Sequence, residues 1–285
     1  SKDLGNSSLC FIPVLDQFTG RGSGMVFNIT ECVDFHHGKR IVITILVCGH
    51  DVVIIMHKEG DALLIQQPVY YPFREVIEDN GRIFVNNQLH YEDGKYTIDF
   101  EDFEKKIVDN NVKVFILCNP HNPVGRVWTK EELEKMGDIC LKHNVVIMDD
   151  EIHCDFTYPG FKFTSFMTLD KKYHNSLVLY TSPSKTFNVA GLQPANIIIK
   201  NQELRAAYRK ANVAAGYSQG SIMGQVAVKS VYTKGDEWVN ELVEYITGNM
   251  NYMRDFVKEN FPKAQFVDPE GTYLTWVDFS GYGFT

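Results

Sequence analysis

Three short stretches of this sequence gather side chains able to do chemistry: Cys118-Asn119-Pro120-His121-Asn122-Pro123, Asp149-Asp150-Glu151-Ile152-His153 and Thr181-Ser182-Pro183-Ser184-Lys185. A fourth, Gln67-Pro68-Val69-Tyr70-Tyr71, adds two phenol rings. Together they supply an amine, carboxylates, an imidazole, side-chain amides and several hydroxyls. An amine ringed by small polar groups can condense with a carbonyl carbon. A carboxylate can hold a positive charge in place, and amides and hydroxyls can donate hydrogen bonds to anionic oxygens. Each residue also has a plainer reading when taken singly. Lys185 could be a solvated loop lysine, and Asp150 a helix N-cap with Asp149 a solvated or capping acid beside it. Tyr70 or Tyr71 could be a core aromatic, and Ser184 could shape a turn. His153-Cys154-Asp155 suggests metal ligation, but adjacent residues point in different directions and the spacing fits no usual zinc pattern, so no metal site is expected.

The elements that must position these groups are legible around them. Each stretch follows a short apolar run: "DALLIQ", "VKVFILC", "NVVIMD" and "SLVLYTS", with "RIFVNN" and "ANIIIK" of the same kind. Between them lie amphipathic segments such as "YPFREVIEDNG", "DFEDFEKKIVDN" and "TKEELEKMGDICLKH". Near-continuous apolar strands alternating with helices indicate an α/β domain of three layers, α/β/α, around a mostly parallel covered sheet. Thr129, with Glu132 three positions on, forms a capping box at the start of one helix. In open parallel sheets ligands bind beyond the carboxyl ends of the strands, which places all four stretches on one rim. After Lys200 the pattern turns helical, with a long amphipathic segment from about Asp236 to Phe261, and "GTYLTWVDFSG" (Gly271 to Gly281) reads as a final strand. The first 58 residues lack clean periodicity. Their Gly20-Arg21-Gly22-Ser23-Gly24 has no strand before it and no helix after it, so it reads as a flexible loop and not a phosphate cradle.

Composition narrows the class of partner. The chain has 285 residues, 44% of them hydrophobic, with a net charge of −8 and basic residues scattered along it. No basic stripe is present to neutralise nucleic-acid phosphates, and no basic amphipathic helix to lie on a membrane. The most apolar run, Ile41 to Met56, is broken by Gly49-His50-Asp51 and is too short and polar to span a bilayer. Six cysteines without a C-x-x-C pair point to reduced thiols and a cytoplasmic protein. A small molecule is the expected partner.

The rim inventory suits pyridoxal 5'-phosphate. That cofactor needs a lysine for Schiff-base attachment, an acid facing its ring nitrogen, a donor to its phenolate oxygen, an aromatic face, and donors to its phosphate. The stretches "CNPHNPVGRVWTKEEL", "DDEIHCDF" and "SPSKTFNVAGLQ", in that order, resemble fold-type-I pyridoxal-phosphate enzymes of the aminotransferase superfamily. The resemblance is to the branch of the cystathionine β-lyases and cysteine-S-conjugate β-lyases; "IQQPVYYPFREVIEDNGR" and "GKYTIDFEDFEKKI" are similar to the same branch, and the likeness runs from about Glu59 to Phe279.

The resemblance implies that Lys185 binds the cofactor and shuttles the substrate Cα proton, and that Asp150 pairs with the ring nitrogen. It implies that Asn122 serves the phenolate oxygen and Ser182 the phosphate, that Tyr70 stacks on the ring, and that His153 stands where many aminotransferases carry tyrosine. It further implies a homodimer and a carbon–sulfur β-lyase that releases a thiol, pyruvate and ammonia. An aminotransferase, and a catalytically impaired fragment or interaction protein of the same fold, are the alternatives. Two departures bear on these expectations. Gln193 occupies the position, eight after Lys185, where many aminotransferases place a phosphate-gripping arginine, and the lyase branch tolerates that change. The family's glycine-led phosphate loop has no clear counterpart, since "VCGHDVVIIMHKEGD" offers only Gly49 ahead of Gly60. The expected organisation is an atypical segment over 1–58, a cofactor-binding large domain over 59–268, and the beginning of a truncated small C-terminal domain over 269–285. Weak cofactor binding and slow turnover are expected from such a chain.

Overall fold

A computed structural model describes residues 26–29, 58–92, 94–214 and 221–283. In chain order the elements are strands β1 (Val26–Ile29) and β2 (Ala62–Ile65), helix α1 (Pro72–Asp79), β3 (Ile83–Asn86), and the hairpin β4 (His90–Glu92) and β5 (Lys95–Thr97). Then come α2 (Phe100–Asp109), β6 (Val114–Cys118), α3 (Lys130–Lys142), β7 (Val146–Asp150), β8 (Leu177–Thr181) and β9 (Ala195–Ile199). Three helices follow, α4 (Gln202–Ala214), α5 (Ile222–Lys234) and α6 (Asp236–Asn260), before β10 (Gln265–Val267) and β11 (Trp276–Asp278).

Seven strands form the main sheet in the order β1-β9-β8-β7-β6-β2-β3. The run from β8 to β3 is parallel, whereas β9 is antiparallel to β8 and β1 antiparallel to β9. Every residue of β2, β6, β8 and β9 is buried, as continuous apolar strands require when both sheet faces are covered. One face packs Phe115 and Leu117 against Phe103 of α2 and Leu133 and Met136 of α3. The other packs Leu63, Ile116 and Met148 against Phe73 and Ile77 of α1 and Tyr208 of α4. The three-layer α/β/α architecture read from the sequence is thus the observed one.

Local signals are realised where they were read. The Thr129 hydroxyl accepts from Glu132 N–H at 3.2 Å, and the Glu132 carboxylate accepts from Thr129 N–H at 2.8 Å. No helix among the described residues is long and apolar enough to cross a membrane. The glycine-rich run Gly20–Gly24, the apolar run Ile41–Met56 and Gly49 lie outside the described residues.

The expected final strand is mostly absent. Only Trp276–Asp278 is a strand, paired antiparallel with Gln265–Val267. The preceding Glu270 and Gly271 donate their N–H groups to the Gly125 carbonyl at 2.8 and 2.9 Å, and Thr272 donates to Phe156 at 3.0 Å. The segment's backbone is therefore bound to loops of the main sheet, which overrides its strand-like composition. Gly125 permits the approach: it sits at φ +74°, and a Cβ added there would lie 2.7 Å from Pro269 Cβ.

Candidate active site

The four stretches do meet. Strands β2, β6, β7 and β8 are neighbours, all parallel, so their carboxyl ends form one edge. Asp150, the last residue of β7, stands in register with Cys118 of β6 and Tyr180 of β8. Just beyond, Asn119 N–H donates to the Asp150 carbonyl and Glu151 N–H to the Tyr180 carbonyl, each at 2.9 Å. The loop after β2 joins them, because Tyr70 N–H donates to the Asn122 carbonyl at 2.9 Å.

Asp150 is buried and its carboxylate accepts one bond, from Ile152 N–H at 3.1 Å. Burial pushes its carboxyl up to about 7, against the opposing effects of that bond and the nearby Lys185 charge. Its neighbour Asp149 is not the solvated or capping acid the sequence suggested, for it is 0% exposed. Side chains alternate along a strand, so Asp149 shares the Ile147 face and Asp150 the Met148 face. Burial, and then the adjoining Glu151 charge, raises the Asp149 pKa well above the carboxylate range. Burial raises the adjoining Glu151 carboxyl as well, to about 7. Glu151 also accepts from Phe166 N–H at 2.9 Å.

His153 is buried, and its Nδ1 has no hydrogen-bond partner among the described residues. Burial, and then the Lys185 charge, lowers its pKa to about 3, so the imidazole is neutral at pH 7. Its ring lies 5.4 Å from that of Tyr273. Tyr70 is half-buried and packs edge-on against Phe73 at 5.7 Å. Tyr71 is 68% exposed, so the two adjacent tyrosines differ in burial. Burial, the Tyr71 phenol and the Asp150 charge together raise the Tyr70 pKa. Asn122 is half-buried beside them.

Lys185 is half-buried in a turn held at several points. Ser184 N–H donates to the Ser182 hydroxyl at 3.0 Å, and that hydroxyl donates in turn to the Pro194 carbonyl. Ser182 and Ser184 are both buried, so both shape the turn, and the Ser182 proton is already engaged. On the other side of the lysine, Thr186 Oγ1 donates to Asp155 Oδ2 at 2.7 Å. Gln193, at φ 53°, closes a short helical turn after the lysine loop. Lys185, Ser184, Phe156 and Tyr273, with Met250 and Met253 of α6, line a cavity of about 610 Å³.

Sequence reasoning missed Tyr273, Asp155 and the ion pairs that fix the loops. Arg126 is almost wholly buried: its Nε bonds Glu270 at 2.9 Å and its Nη2 bonds both Glu132 carboxylate oxygens at 2.9 Å. Burial would raise the Glu270 carboxyl, but the Arg126 charge and the bonds from Val127 N–H, Arg126 and Lys95 hold it below its usual value. Gly125-Arg126 and Glu270-Gly271 carried the only available signal, as charges beside glycine in apolar surroundings.

A sequence profile of the family described as Aminotransferase class I and II matches residues 48–283. The chain belongs to that family. Among aminotransferase class I and II relatives, the cystathionine beta-lyase PatB of Bacillus subtilis is 43% identical over 224 residues, covering 79% of this chain and 58% of PatB. Cystalysin from Treponema denticola, whose crystal structure contains a pyridoxal 5'-phosphate cofactor, superposes with a TM-score of 0.84 at 35% identity, covering 91% of this chain and 62% of that one. A C-S lyase from Staphylococcus hominis, PLP-bound and complexed with L-cycloserine, gives a TM-score of 0.79 at 33% identity, over 90% of this chain and 62% of the lyase. The chain thus spans 58% to 62% of the length of these relatives.

Proposed function

We propose that this chain carries the cofactor-binding face of a pyridoxal-phosphate-dependent carbon–sulfur β-lyase, acting on cystathionine or cysteine S-conjugates and releasing a thiol, pyruvate and ammonia. The observation that carries the reading is Asp150. A buried carboxylate has room for about four hydrogen-bond donors, yet this one accepts a single backbone N–H among the described residues. Such an acid suits a protonated pyridine nitrogen. The lysine, amide and aromatic groups on the same rim fit the rest of the cofactor. When bound, pyridoxal phosphate supplies an electron sink for the carbon that loses its proton.

The chain's own groups would act as follows. Lys185 holds the cofactor covalently and then moves the proton at the substrate Cα. Asp150 keeps a proton on the ring nitrogen. Asn122 would donate to the phenolate oxygen, Tyr70 would supply the aromatic ring for stacking, and His153 would stand beside the cofactor where many aminotransferases carry tyrosine. Neutral His153 adds no second positive charge beside Lys185. Ser182 serves the phosphate by turning its hydroxyl away from Pro194. A homodimer belongs to the same reading, supported by Ile222, Met223 and Val226 of α5, which are 77%, 67% and 56% exposed. Cytoplasmic location is supported by Cys118, Cys140 and Cys154, which are buried and form no disulfide among the described residues. The test supplies cofactor and either cystathionine or an S-alkyl cysteine and measures pyruvate. Pyruvate release is expected. Amino-group transfer to a keto acid without pyruvate would replace the lyase reading with an aminotransferase.

A further inference from the structure

Thr272 sits at φ +66° and is wholly buried. A β-branched residue in the left-handed region is strained and persists only where its surroundings over-determine it. Here they do. Thr272 N–H donates to the Phe156 carbonyl at 3.0 Å, the Tyr158 hydroxyl donates to the Thr272 carbonyl at 2.9 Å, and Leu274 N–H donates to the Thr272 hydroxyl at 3.3 Å. One residue earlier the chain passes so close to Phe156 that a Cβ on Gly271 would lie 2.5 Å from its carbonyl oxygen. The Arg126–Glu270 pair anchors the start of the segment.

The product of this strain is the position of Tyr273. Its ring lies 5.4 Å from the His153 ring and 5.2 Å, edge-on, from that of Phe156. It lines the same cavity as Lys185, and its phenol lies within electrostatic reach of Tyr70. Core packing does not account for it, since Tyr273 is 37% exposed while the His153 beneath it is 2% exposed. The tyrosine is a cover.

We propose that Tyr273 is a positioning residue of this site: its ring shuts water away from His153 and forms the outer wall of the cavity that Lys185 lines. The groups facing His153 are the Lys185 amine, the Tyr273 phenol and the apolar Phe156 ring. With water excluded, the imidazole stays uncharged. The wall also narrows the space open to a substrate side chain. Its consequence for substrate rests on the lyase reading; its consequence for His153 does not.

The experiment follows the His153 imidazole by NMR in the full chain without cofactor, in wild type, Tyr273→Phe and Tyr273→Ala. Wild type and Tyr273→Phe should remain uncharged at pH 5, consistent with a midpoint near 3. Tyr273→Ala should admit water and raise the midpoint toward the ordinary ~6.5. Should the alanine variant not fold, Tyr273→Gln, which brings a polar group to the same place, should show the same rise. An uncharged His153 at pH 5 in the folded alanine or glutamine variant overturns the proposal, as does a phenylalanine variant that titrates like alanine. A second arm measures kcat and KM for pyruvate release from an S-alkyl cysteine. Tyr273→Phe should stay within about twofold of wild type, and Tyr273→Ala should lose roughly tenfold or more in kcat/KM, as loosened positioning predicts. Equal kcat/KM in the alanine variant refutes the wall. No pyruvate from wild type, with the titration behaving as described, fails the lyase reading alone.

Discussion

Replacing Asp150 with asparagine should stabilise the cofactor-free chain while removing the charge its proposed function needs. The fold raises this carboxyl from 3.8 to about 7, because burial penalises the ionised form. A raised folded pKa means that the proton is bound more tightly in the folded state. The associated stability is full below pH 3.8 and is lost as pH rises through about 7. Three pKa units amount to about 4 kcal/mol, the cost that an ionised Asp150 imposes above pH 7. Asparagine keeps an oxygen to accept from Ile152 N–H but adds a buried amide nitrogen, which costs about 1–2 kcal/mol if it finds no acceptor. Asp150→Asn should therefore be about 2–3 kcal/mol more stable than wild type at pH 8. The gain should vanish or reverse at pH 4.5, where wild-type Asp150 is largely protonated. Urea denaturation of both proteins at the two pH values reads this directly. A difference of the same size at both, or a variant less stable at pH 8, refutes the description of Asp150 as a strained buried acid.

Borohydride reduction in the presence of pyridoxal phosphate should link the cofactor to Lys185, and Lys185→Ala should keep the fold by circular dichroism but take up no label; label on another lysine would sink the assignment. Glu270→Ala should cost about 3–5 kcal/mol by urea denaturation, because it strands part of the buried Arg126 charge. Lys95→Ala should cost less than about 1 kcal/mol, since Lys95 is half-exposed; equal effects of the two would contradict the network. The Glu270 carboxyl is held below its usual 4.5, so its stabilisation is present above that pH and fades as pH falls through the lowered value. Glu270→Gln should accordingly show less acid sensitivity in this range. Thr129→Ala removes the α3 cap and should cost about 1 kcal/mol.

The strands and helices that carry the site were readable because their determinants are local. "VFILC" and "LVLYT" are continuous apolar runs that only a doubly covered strand accommodates, and Thr129 and Glu132 cap a helix within three residues of each other. Because those strands lie side by side and parallel, the groups following them had to share one edge, which brought Asn122, Asp150 and Lys185 within range of description from sequence. The choice between neighbours was not local. Asp149 and Asp150 are equal as residues, and the β7 pleat seals the first beneath the sheet while setting the second at the rim. Tyr70 and Tyr71 differ only in what the α1 turn and Phe73 leave open.

Tyr273 lay inside a stretch with strand composition, and residues far away in the chain, Gly125 and Phe156, accept the backbone N–H groups of Gly271 and Thr272 just before it. The sequence by itself therefore determined the layered fold and the chemical inventory of its edge, because apolar periodicity and capping act over a few residues. Only the tertiary structure decided which acid is buried where, which tyrosine faces the site and what covers His153. Those outcomes depend on pairings such as Arg126 with Glu270, 144 positions apart, whose geometry exists only once the sheet has assembled.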